Sequence, residues 1–283
     1  MDEKRYKLSI ITINYNNADG LYKTAESVRK QTCKQFEWIV IDGGSTDNSV
    51  EIIRKYETDI SNWVSERDKG IYNAMNKGVS YASGEYCLFL NSGDILFSED
   101  SIKRLLTFDL TADIISSNLM KKGQNYTYAV LPDCITYNFM IGTSLPHPST
   151  LIKRDHLIKN PYNENYKIIS DWAFFFDELI IRDASYQHLD FPLSVFFLDG
   201  ISNTNRKKGV EERKIHLMKY FPQKYVEEQL SFDKGDTFIR ASNGFYSMNR
   251  SFIEILCKLI YGLENIVIKP LFSTLYVLTH KHL

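Results

Sequence analysis

Four polar clusters, each following an apolar run, contain the side chains of this sequence that could do chemistry. They span residues 14–17, 42–47, 66–76 and 91–94. Each apolar run predicts a strand, and the carboxyl ends of parallel strands share one edge of a sheet. A turn rich in Asn, Asp and Gly is usually only a turn, but four in succession indicate convergence on one ligand. Asp94 follows a buried strand, where a protein would hold a metal–phosphate group.

Alternating strands and helices are predicted to position these clusters. The predicted strands are 8–13, 36–41, 63–65 and 86–90, and the helices between them cover 21–31, 50–56 and the region after residue 70. This spacing predicts a mainly parallel α/β sheet. Beyond residue 107 the predicted elements are strands at 113–116, 126–131, 149–152 and 193–198, a helix over 171–182 and helical structure from 210 onward. A soft boundary near residue 205 therefore separates a mixed α/β body from a helical tail.

The composition is that of a globular protein without a nucleic-acid partner. Hydrophobic residues make up 43% and charged residues 24%, and a net charge of −1 provides no basic field. The four cysteines are far apart and form no CxxC pair, which excludes a zinc knuckle and fits a reduced, cytoplasmic compartment. The charged N-terminus lacks the apolar region of a signal peptide, and no run reaches the ~18 apolar residues of a spanning helix.

The order of the clusters over about residues 7–100 closely resembles family 2 glycosyltransferases, the inverting enzymes with a GT-A fold, and the resemblance continues more loosely to about residue 205. In that family, an aromatic residue after the first strand packs on uracil, and an Asp after the second strand binds the base. Tyr15 and Asp42 hold these places, and Asp47 fits a helix cap. The nucleotide-binding residues implied are Thr12, Asn14, Tyr15, Asp42, Gly44, Asp68, Lys69, Asn73, Asn91, Ser92 and Gly93.

The run from Asp68 to Gly78 resembles the signature of transferases that build surface polysaccharides. Its simpler interpretation is an amphipathic helix, and the two interpretations are compatible. The resemblance adds Asp68 and Lys69 at the helix start, where they could meet ribose or phosphate. The family commonly carries Asp-x-Asp where this chain has Asn91-Ser92-Gly93-Asp94. Asp94 alone is then left to hold Mg²⁺ or Mn²⁺ with diphosphate oxygens and water.

The second half of the body resembles the acceptor side of the same family. His147, held between prolines, and Arg154 flank its acceptor-side strand, and both are expected to bind the acceptor. Asp171 occupies the place of the family's catalytic base, although Ser170 replaces the usual Glu. Trp172 beside it is expected to stack on an apolar sugar face. Residues 199–202 resemble a loop that closes over the diphosphate.

The resemblance implies transfer of a sugar from a nucleotide-sugar, with UDP expected, to a glycan or polyprenyl-diphosphate-linked acceptor in surface-polysaccharide synthesis. The implied domains are a catalytic domain over 1–205, with a nucleotide-sugar half (1–100) and an acceptor half (101–205), and a helical extension over 206–283. Two alternatives stay open. A nucleotidyltransferase is disfavoured because the loop 14–20 lacks Lys and Arg, whereas the altered Asp-x-Asp keeps open an inactive sugar-nucleotide- or glycan-binding subunit.

An amphipathic stripe lies near the end of the chain, between Phe252 and Leu278. One interpretation is a helix that packs on the catalytic domain or on a second copy of the chain, in a homo-oligomer. The other is an interfacial segment that brings the enzyme to the inner face of the cell membrane, since its charges forbid spanning. The transferred sugar, the acceptor hydroxyl and the oligomeric state do not follow from the sequence.

Overall fold

The computed structural model of the chain describes residues 6–123, 125–197 and 206–232. Its first half alternates strands and helices as predicted. The strands are β1 Leu8–Asn14, β2 Phe36–Asp42, β3 Asn62–Ser65 and β4 Tyr86–Phe89. The helices between them are α1 Ala18–Arg29, α2 Ser49–Lys55 and α3 Ile71–Tyr81. These four strands lie side by side in the order β3-β2-β1-β4 and are all parallel, so their carboxyl ends meet at one edge.

The second half continues the same sheet with mixed strand directions. Its strands are β5 Ile95–Leu96, β6 Ile114–Lys122, β7 Tyr126–Ala129, β8 Thr150–Lys153 and β9 Tyr186–Phe197. The order continues from β4 as β8-β6-β9-β5, with β7 paired to β6. β8 runs antiparallel to both β4 and β6, while β9 is parallel to β6. The α/β fold class is confirmed, and the predicted parallel pairing holds throughout the first half.

Shorter helices surround this second half. They are α4 Ser101–Leu105, α5 Tyr137–Gly142, α6 Arg154–Lys159 and α7 Ser170–Phe176. A 3-10 turn at His147–Ser149 leads into β8, and a π-helical turn at Asp177–Ile181 follows α7. The single helix predicted over 171–182 is therefore wrong in detail, because the chain changes its hydrogen bonding at Asp177.

Buried apolar side chains cover both faces of the central strands. All seven residues of β1 are buried, as expected for a parallel strand between helices. Ile11 packs in the cluster that includes α3, whereas Ile10 packs in the cluster that includes α1. A Cβ at Gly78 would lie 2.5 Å from the Ile11 side chain. Glycine at this position therefore allows α3 to lie close against β1, which places the start of α3 at the carboxyl edge.

Two further helices, α8 Arg206–Leu217 and α9 Gln223–Phe232, pack on the body. His216 of α8 contacts Asp177 Oδ1 through Nε2 at 2.7 Å and the Tyr166 hydroxyl through Nδ1 at 3.1 Å. Leu217 and Val226 are buried in the same core cluster as α7. The predicted division at residue 205 stays a prediction, as does the amphipathic stripe within 252–278, which lies outside the described residues. No helix in the described ranges is long and apolar enough to cross a membrane.

Candidate active site

The turns that follow β1, β2 and β4 are joined by hydrogen bonds at the carboxyl edge of the sheet. Asn14 Nδ2 donates to Asp42 Oδ1 at 2.7 Å, and Asn17 Nδ2 donates to the Ser92 carbonyl at 3.1 Å. Asp47 accepts the Ala18 N–H at the start of α1, at 2.9 Å, and also the Ser49 N–H at the start of α2, at 3.1 Å. The predicted convergence of these turns is confirmed, and Asp47 caps helices as expected.

The carboxylate of Asp42 is hydrogen-bonded within the protein. It is fully buried, and Oδ1 accepts from Asn14 Nδ2 at 2.7 Å and Ser45 Oγ at 2.5 Å. Oδ2 accepts from the Ser45 N–H at 2.9 Å and Ser65 Oγ at 2.6 Å. Burial raises the pKa of Asp42, but these hydrogen bonds outweigh it and hold the pKa below its ordinary value. The Asp42 oxygens therefore fasten the turn, and the expectation that Asp42 also binds the base stays a prediction.

We expect Asp42→Ala to lower the free energy of unfolding by about 3 kcal/mol, because buried donors on Asn14 and Ser45 lose their acceptor. Urea denaturation at pH 7 measures the loss, with Asp59→Ala as the control at an exposed aspartate. The depressed pKa gives a stabilisation that is present above the unfolded pKa of about 3.9 and is lost as pH falls. The difference between wild type and variant should shrink below about pH 4. An Asp42→Ala protein as stable as wild type at pH 7 would contradict this structural role.

The side chains of two other residues predicted to bind the nucleotide, Thr12 and Asn73, also form hydrogen bonds within the protein. Thr12 is fully buried, and its Oγ1 accepts from Trp38 Nε1 at 3.0 Å. Asn73 accepts the Lys69 N–H at 3.2 Å and donates to Glu164 at 3.1 Å, so its amide fastens the start of α3 to the acceptor half. Thr12 therefore faces the core, whereas Asn73 is partly buried and its role toward a nucleotide stays a prediction.

Four further donor-side residues, Tyr15, Gly44, Asp68 and Lys69, are at least partly exposed at this edge, whereas Asn14 is buried. Tyr15 is 66% exposed, which leaves a ring face open for stacking. Gly44 has φ of +77°, and a Cβ there would lie 3.1 Å from the Arg67 backbone nitrogen, so glycine suits this turn. Lys69 is exposed and Asp68 is half-buried at the approach to α3. The roles of these residues toward a nucleotide stay predictions.

The turn after β4 carries the residues that could hold a metal ion. Asn91 Oδ1 is buried and has no hydrogen-bond partner among the described residues. The Asp94 N–H donates to the Asn91 carbonyl at 2.9 Å, so the two residues belong to one tight turn. Thr24 Oγ1 fixes this turn by donating to the Asp94 carbonyl at 2.7 Å and by accepting the Gly93 N–H at 3.0 Å. Mg²⁺ and Mn²⁺ favour oxygen ligands, and a turn that carries both an orphaned amide oxygen and a carboxylate residue suits them.

The acceptor half contributes a carboxylate that is linked to the donor half. Asp171 lies in the first turn of α7, and its side chain is 29% exposed. The Tyr72 hydroxyl, from α3, donates to Asp171 Oδ1 at 3.0 Å. His147 Nδ1 lies 3.9 Å from Asp171 Oδ2, and its Nε2 contacts the Tyr162 hydroxyl at 3.0 Å. Burial lowers the pKa of His147 although Asp171 opposes the shift, so a neutral imidazole stands beside the carboxylate.

Three residues predicted to bind the acceptor, Trp172, Arg154 and His147, do not lie at an open surface beside Asp171. Trp172 is 1% exposed, donates to the Met140 carbonyl at 2.6 Å and stacks on Phe176, so it cannot stack on a sugar. The Arg154 N–H donates to the Glu85 carbonyl at 2.9 Å, before β4, which places Arg154 at the opposite edge of the sheet. His147 is 8% exposed and contacts Asp171 instead of an open surface. The predictions for Trp172 and Arg154 are therefore wrong as direct acceptor contacts, whereas an acceptor role of His147 stays a prediction.

The sequence did not indicate which side chains form the hydrogen bonds between the polar turns and between the two halves. The sequence indicates no role for Tyr72 at the site, because an aromatic residue near a helix start usually packs in the core. Tyr162 gave no signal, since it lies in a loop between α6 and α7. Asn17 and Thr24 lie on α1 or its cap, and their partners on the turn after β4 are distant in sequence. Only the pairing of β1 with β4 brings them together.

The first half of the chain is a parallel, Rossmann-like sheet with polar turns at its carboxyl edge. The second half continues this sheet and carries a carboxylate. This is the architecture of the GT-A class of glycosyltransferases. The sequence profile described as Glycosyl transferase family 2 matches residues 9–176. The chain belongs to this family.

Relatives and solved structures agree with this assignment. A PGL/p-HBAD biosynthesis glycosyltransferase of Mycobacterium bovis is 29% identical over 173 residues, covering 59% of this chain and 67% of the relative. S. aureus TarS 1–349 in complex with UDP-GlcNAc superposes with a TM-score of 0.62 at 18% identity, over 79% of this chain and 70% of that one. The mannosyltransferase PcManGT from Pyrobaculum calidifontis, in complex with GDP-Man and Mn²⁺, gives a TM-score of 0.56 at 14% identity, over 95% and 84%. These structural similarities confirm the GT-A fold.

Proposed function

We propose that this chain is an inverting glycosyltransferase that moves a sugar from a UDP-sugar to a glycan or lipid-linked acceptor. The observation that carries the proposal is the hydrogen bond between Tyr72 and Asp171. It links the helix that begins at the donor edge to a partly exposed carboxylate of the acceptor half. The solved TarS complex with UDP-GlcNAc supports a UDP-sugar as the donor class.

Asp171 is the proposed general base. Its Oδ1 accepts from Tyr72, which orients the carboxylate, and its partial exposure leaves it accessible to an acceptor hydroxyl. Asp171 takes the proton from that hydroxyl as the oxygen bonds to the anomeric carbon. The bond from that carbon to the diphosphate breaks on the opposite face, so an α-linked donor gives a β product. The neutral His147 ring supports the position of Asp171 without adding charge.

Asp94 and Asn91 are the residues that would hold Mg²⁺ or Mn²⁺, through a carboxylate and the orphaned amide oxygen. The ion would neutralise charge on the departing diphosphate. The PcManGT complex with Mn²⁺ supports a divalent cation as the cofactor class. Ser92 and Gly93, between the two ligands, would place backbone groups beside the diphosphate.

The proposal also includes the acceptor and the cellular setting. A role in surface-polysaccharide synthesis with a polyprenyl-diphosphate-linked acceptor rests on the resemblance of residues 68–78. A cytoplasmic setting rests on the scattered cysteines, and contact with the inner face of the membrane rests on the amphipathic stripe between Phe252 and Leu278. The mycobacterial relative is named for PGL/p-HBAD biosynthesis, which supports a biosynthetic role for the transfer. The catalytic domain is proposed to cover residues 1–205.

A thermal-shift screen tests the donor class. We expect UDP and one or more UDP-sugars, with Mn²⁺, to raise the Tm of the full chain, since a ligand that binds the native state stabilises it by RT ln(1 + [L]/Kd). GDP, ADP and dTDP with the same metal are the matched controls. If no uridine nucleotide stabilises the protein while another nucleotide does, the UDP assignment is wrong. If no nucleotide stabilises it, the proposed transfer from a nucleotide-sugar is wrong.

A further inference from the structure

Two residues of α3 extend toward the acceptor half from the same face of the helix. Tyr72 and Asn76 are four residues apart, a spacing that places both side chains on one side of a helix. The Tyr72 hydroxyl donates to Asp171 Oδ1 at 3.0 Å. The Asn76 amide binds the backbone of Tyr162 at two points, since Nδ2 donates to the Tyr162 carbonyl at 2.9 Å and Oδ1 accepts its N–H at 2.9 Å. These two bonds fix Tyr162, in the loop between α6 and α7, against α3.

The hydroxyl of Tyr162 determines which nitrogen of His147 carries the proton. Tyr162 is 2% exposed, and its hydroxyl lies 3.0 Å from His147 Nε2, its hydrogen-bond partner among the residues that the structure describes. Burial raises the pKa of the Tyr162 phenol well above its ordinary value, so the phenol keeps its proton. Burial lowers the pKa of His147, although Asp171 opposes the shift, so the ring is neutral. A neutral imidazole has one N–H and one acceptor nitrogen, and the phenol can donate to Nε2 only if the N–H is at Nδ1.

The other nitrogen of this ring faces the carboxylate of α7. His147 Nδ1 lies 3.9 Å from Asp171 Oδ2, longer than a hydrogen bond. Catalytic hydrogen bonds are often long in the absence of substrate and shorten in the Michaelis complex. With the N–H at Nδ1, the ring presents a donor to the carboxylate and an acceptor to the phenol. The other tautomer would leave the phenol proton without an acceptor and would turn a lone pair toward a negative charge.

We propose, on the basis of the general-base role of Asp171, that Tyr162 and Asn76 are positioning residues for sugar transfer. Asn76 holds Tyr162 against α3, and Tyr162 holds His147 as the Nδ1–H tautomer. That N–H restrains the Oδ2 side of Asp171, while Tyr72 restrains the Oδ1 side directly. The helix that begins at the donor edge therefore restrains both oxygens of the base, which prevents the carboxylate from rotating away from the acceptor hydroxyl.

Tyr162→Phe tests this role, because it removes only the hydroxyl and keeps the ring that packs on Phe89. We expect kcat for sugar transfer to fall about tenfold, with the KM for the UDP-sugar and the affinity for UDP unchanged. Tyr166→Phe is the matched control. It removes another buried tyrosine–histidine contact, since the Tyr166 hydroxyl lies 3.1 Å from His216 Nδ1, and His216 in turn contacts Asp177. The control should lose similar stability and retain the wild-type kcat.

Two substitutions of His147 separate the donor at Nδ1 from the packing of the ring. The amide of His147→Asn can place an N–H near the Nδ1 position, whereas the longer side chain of His147→Gln reaches the position of Nε2. We expect His147→Asn to retain at least about fivefold more kcat than His147→Gln, because only asparagine keeps a donor beside Asp171. A role in packing alone predicts the opposite order, since glutamine fills more of the buried space.

The tautomer can be measured without any assay of transfer, by NMR correlation of the ring nitrogens and protons in wild type with isotope-labelled histidine. The signals of His147, identified as those missing from His147→Asn, should show a protonated Nδ1 and an unprotonated Nε2. A protonated Nε2 overturns the proposal. So does a wild-type kcat in folded Tyr162→Phe, or a kcat of His147→Gln equal to or above that of His147→Asn. Absence of transfer from every UDP-sugar by wild type instead contradicts the proposed function, and the NMR result still decides the tautomer.

Discussion

Asp171→Asn is expected to lower the rate of sugar transfer by about 10²–10⁴-fold, the usual contribution of general-base catalysis. Asparagine has nearly the same shape and can still accept the hydrogen bond from the Tyr72 hydroxyl, which is 3.0 Å from Oδ1 in wild type. It cannot take a proton at neutral pH. Donor binding should be unchanged, because Asp171 belongs to the acceptor half. Incorporation of radiolabelled sugar from a UDP-sugar into a lipid extract measures transfer, and calorimetry with UDP measures donor binding.

Asp155→Asn is the matched control for this experiment. Asp155 also lies in the first turn of a helix of the acceptor half, α6, and it is exposed. It therefore reproduces the loss of a negative charge near a helix N-terminus without touching the Tyr72 contact. If Asp171→Asn keeps more than a tenth of the wild-type rate, the barrier has risen by less than about 1.4 kcal/mol, and another residue is the base.

The sequence was sufficient to predict the donor edge of the fold but not the direction of its side chains. The first four strands and their helices follow from apolar runs and polar turns, and their bounds agree closely with the structure. Asp42 is an example of a side chain whose partners could not be predicted. Its place at a strand end is correct, but only the folded turn shows that Ser45 and Ser65 occupy its oxygens.

Elements of the acceptor half were harder to predict because long-range pairing decides them. β9 begins at Tyr186, earlier than predicted, although Pro192 lies inside it. Proline is usually excluded from strand interiors, but the register between β6 and β9 shifts beside Asn118, which is paired with Pro192. Such a bulge tolerates proline and cannot be inferred from one strand alone.

Placement of Trp172 failed for a related reason. Its position next to Asp171 suggested a sugar contact, since neighbours in sequence near a catalytic residue often share its site. On a helix, however, adjacent residues point in different directions. Asp171 faces Tyr72, whereas Trp172 points into the core toward Met140. The chain thus uses one turn of α7 both to present a carboxylate and to anchor the helix.

Removal of divalent cations is expected to lower transfer by about 10³-fold or more, since an ion that neutralises a leaving diphosphate contributes several kcal/mol. Excess EDTA should stop incorporation of labelled sugar, and added Mn²⁺ or Mg²⁺ should restore it. Asp94→Asn should reproduce this loss, because a neutral amide binds a divalent cation more weakly than a carboxylate does. Asp100→Asn, at an exposed aspartate before α4, is the control and should retain wild-type transfer.

Mn²⁺ binding in the presence of UDP, followed by electron paramagnetic resonance, separates metal binding from turnover. Asp94→Asn should weaken it, and Asn91→Asp should strengthen it, because the buried and unpartnered Oδ1 of Asn91 would become part of a carboxylate. The two variants are therefore expected to change Mn²⁺ affinity in opposite directions, although both lie in the same turn. Full transfer in excess EDTA, or Mn²⁺ affinity unchanged in both variants, would show that this turn supports the diphosphate without a metal ion.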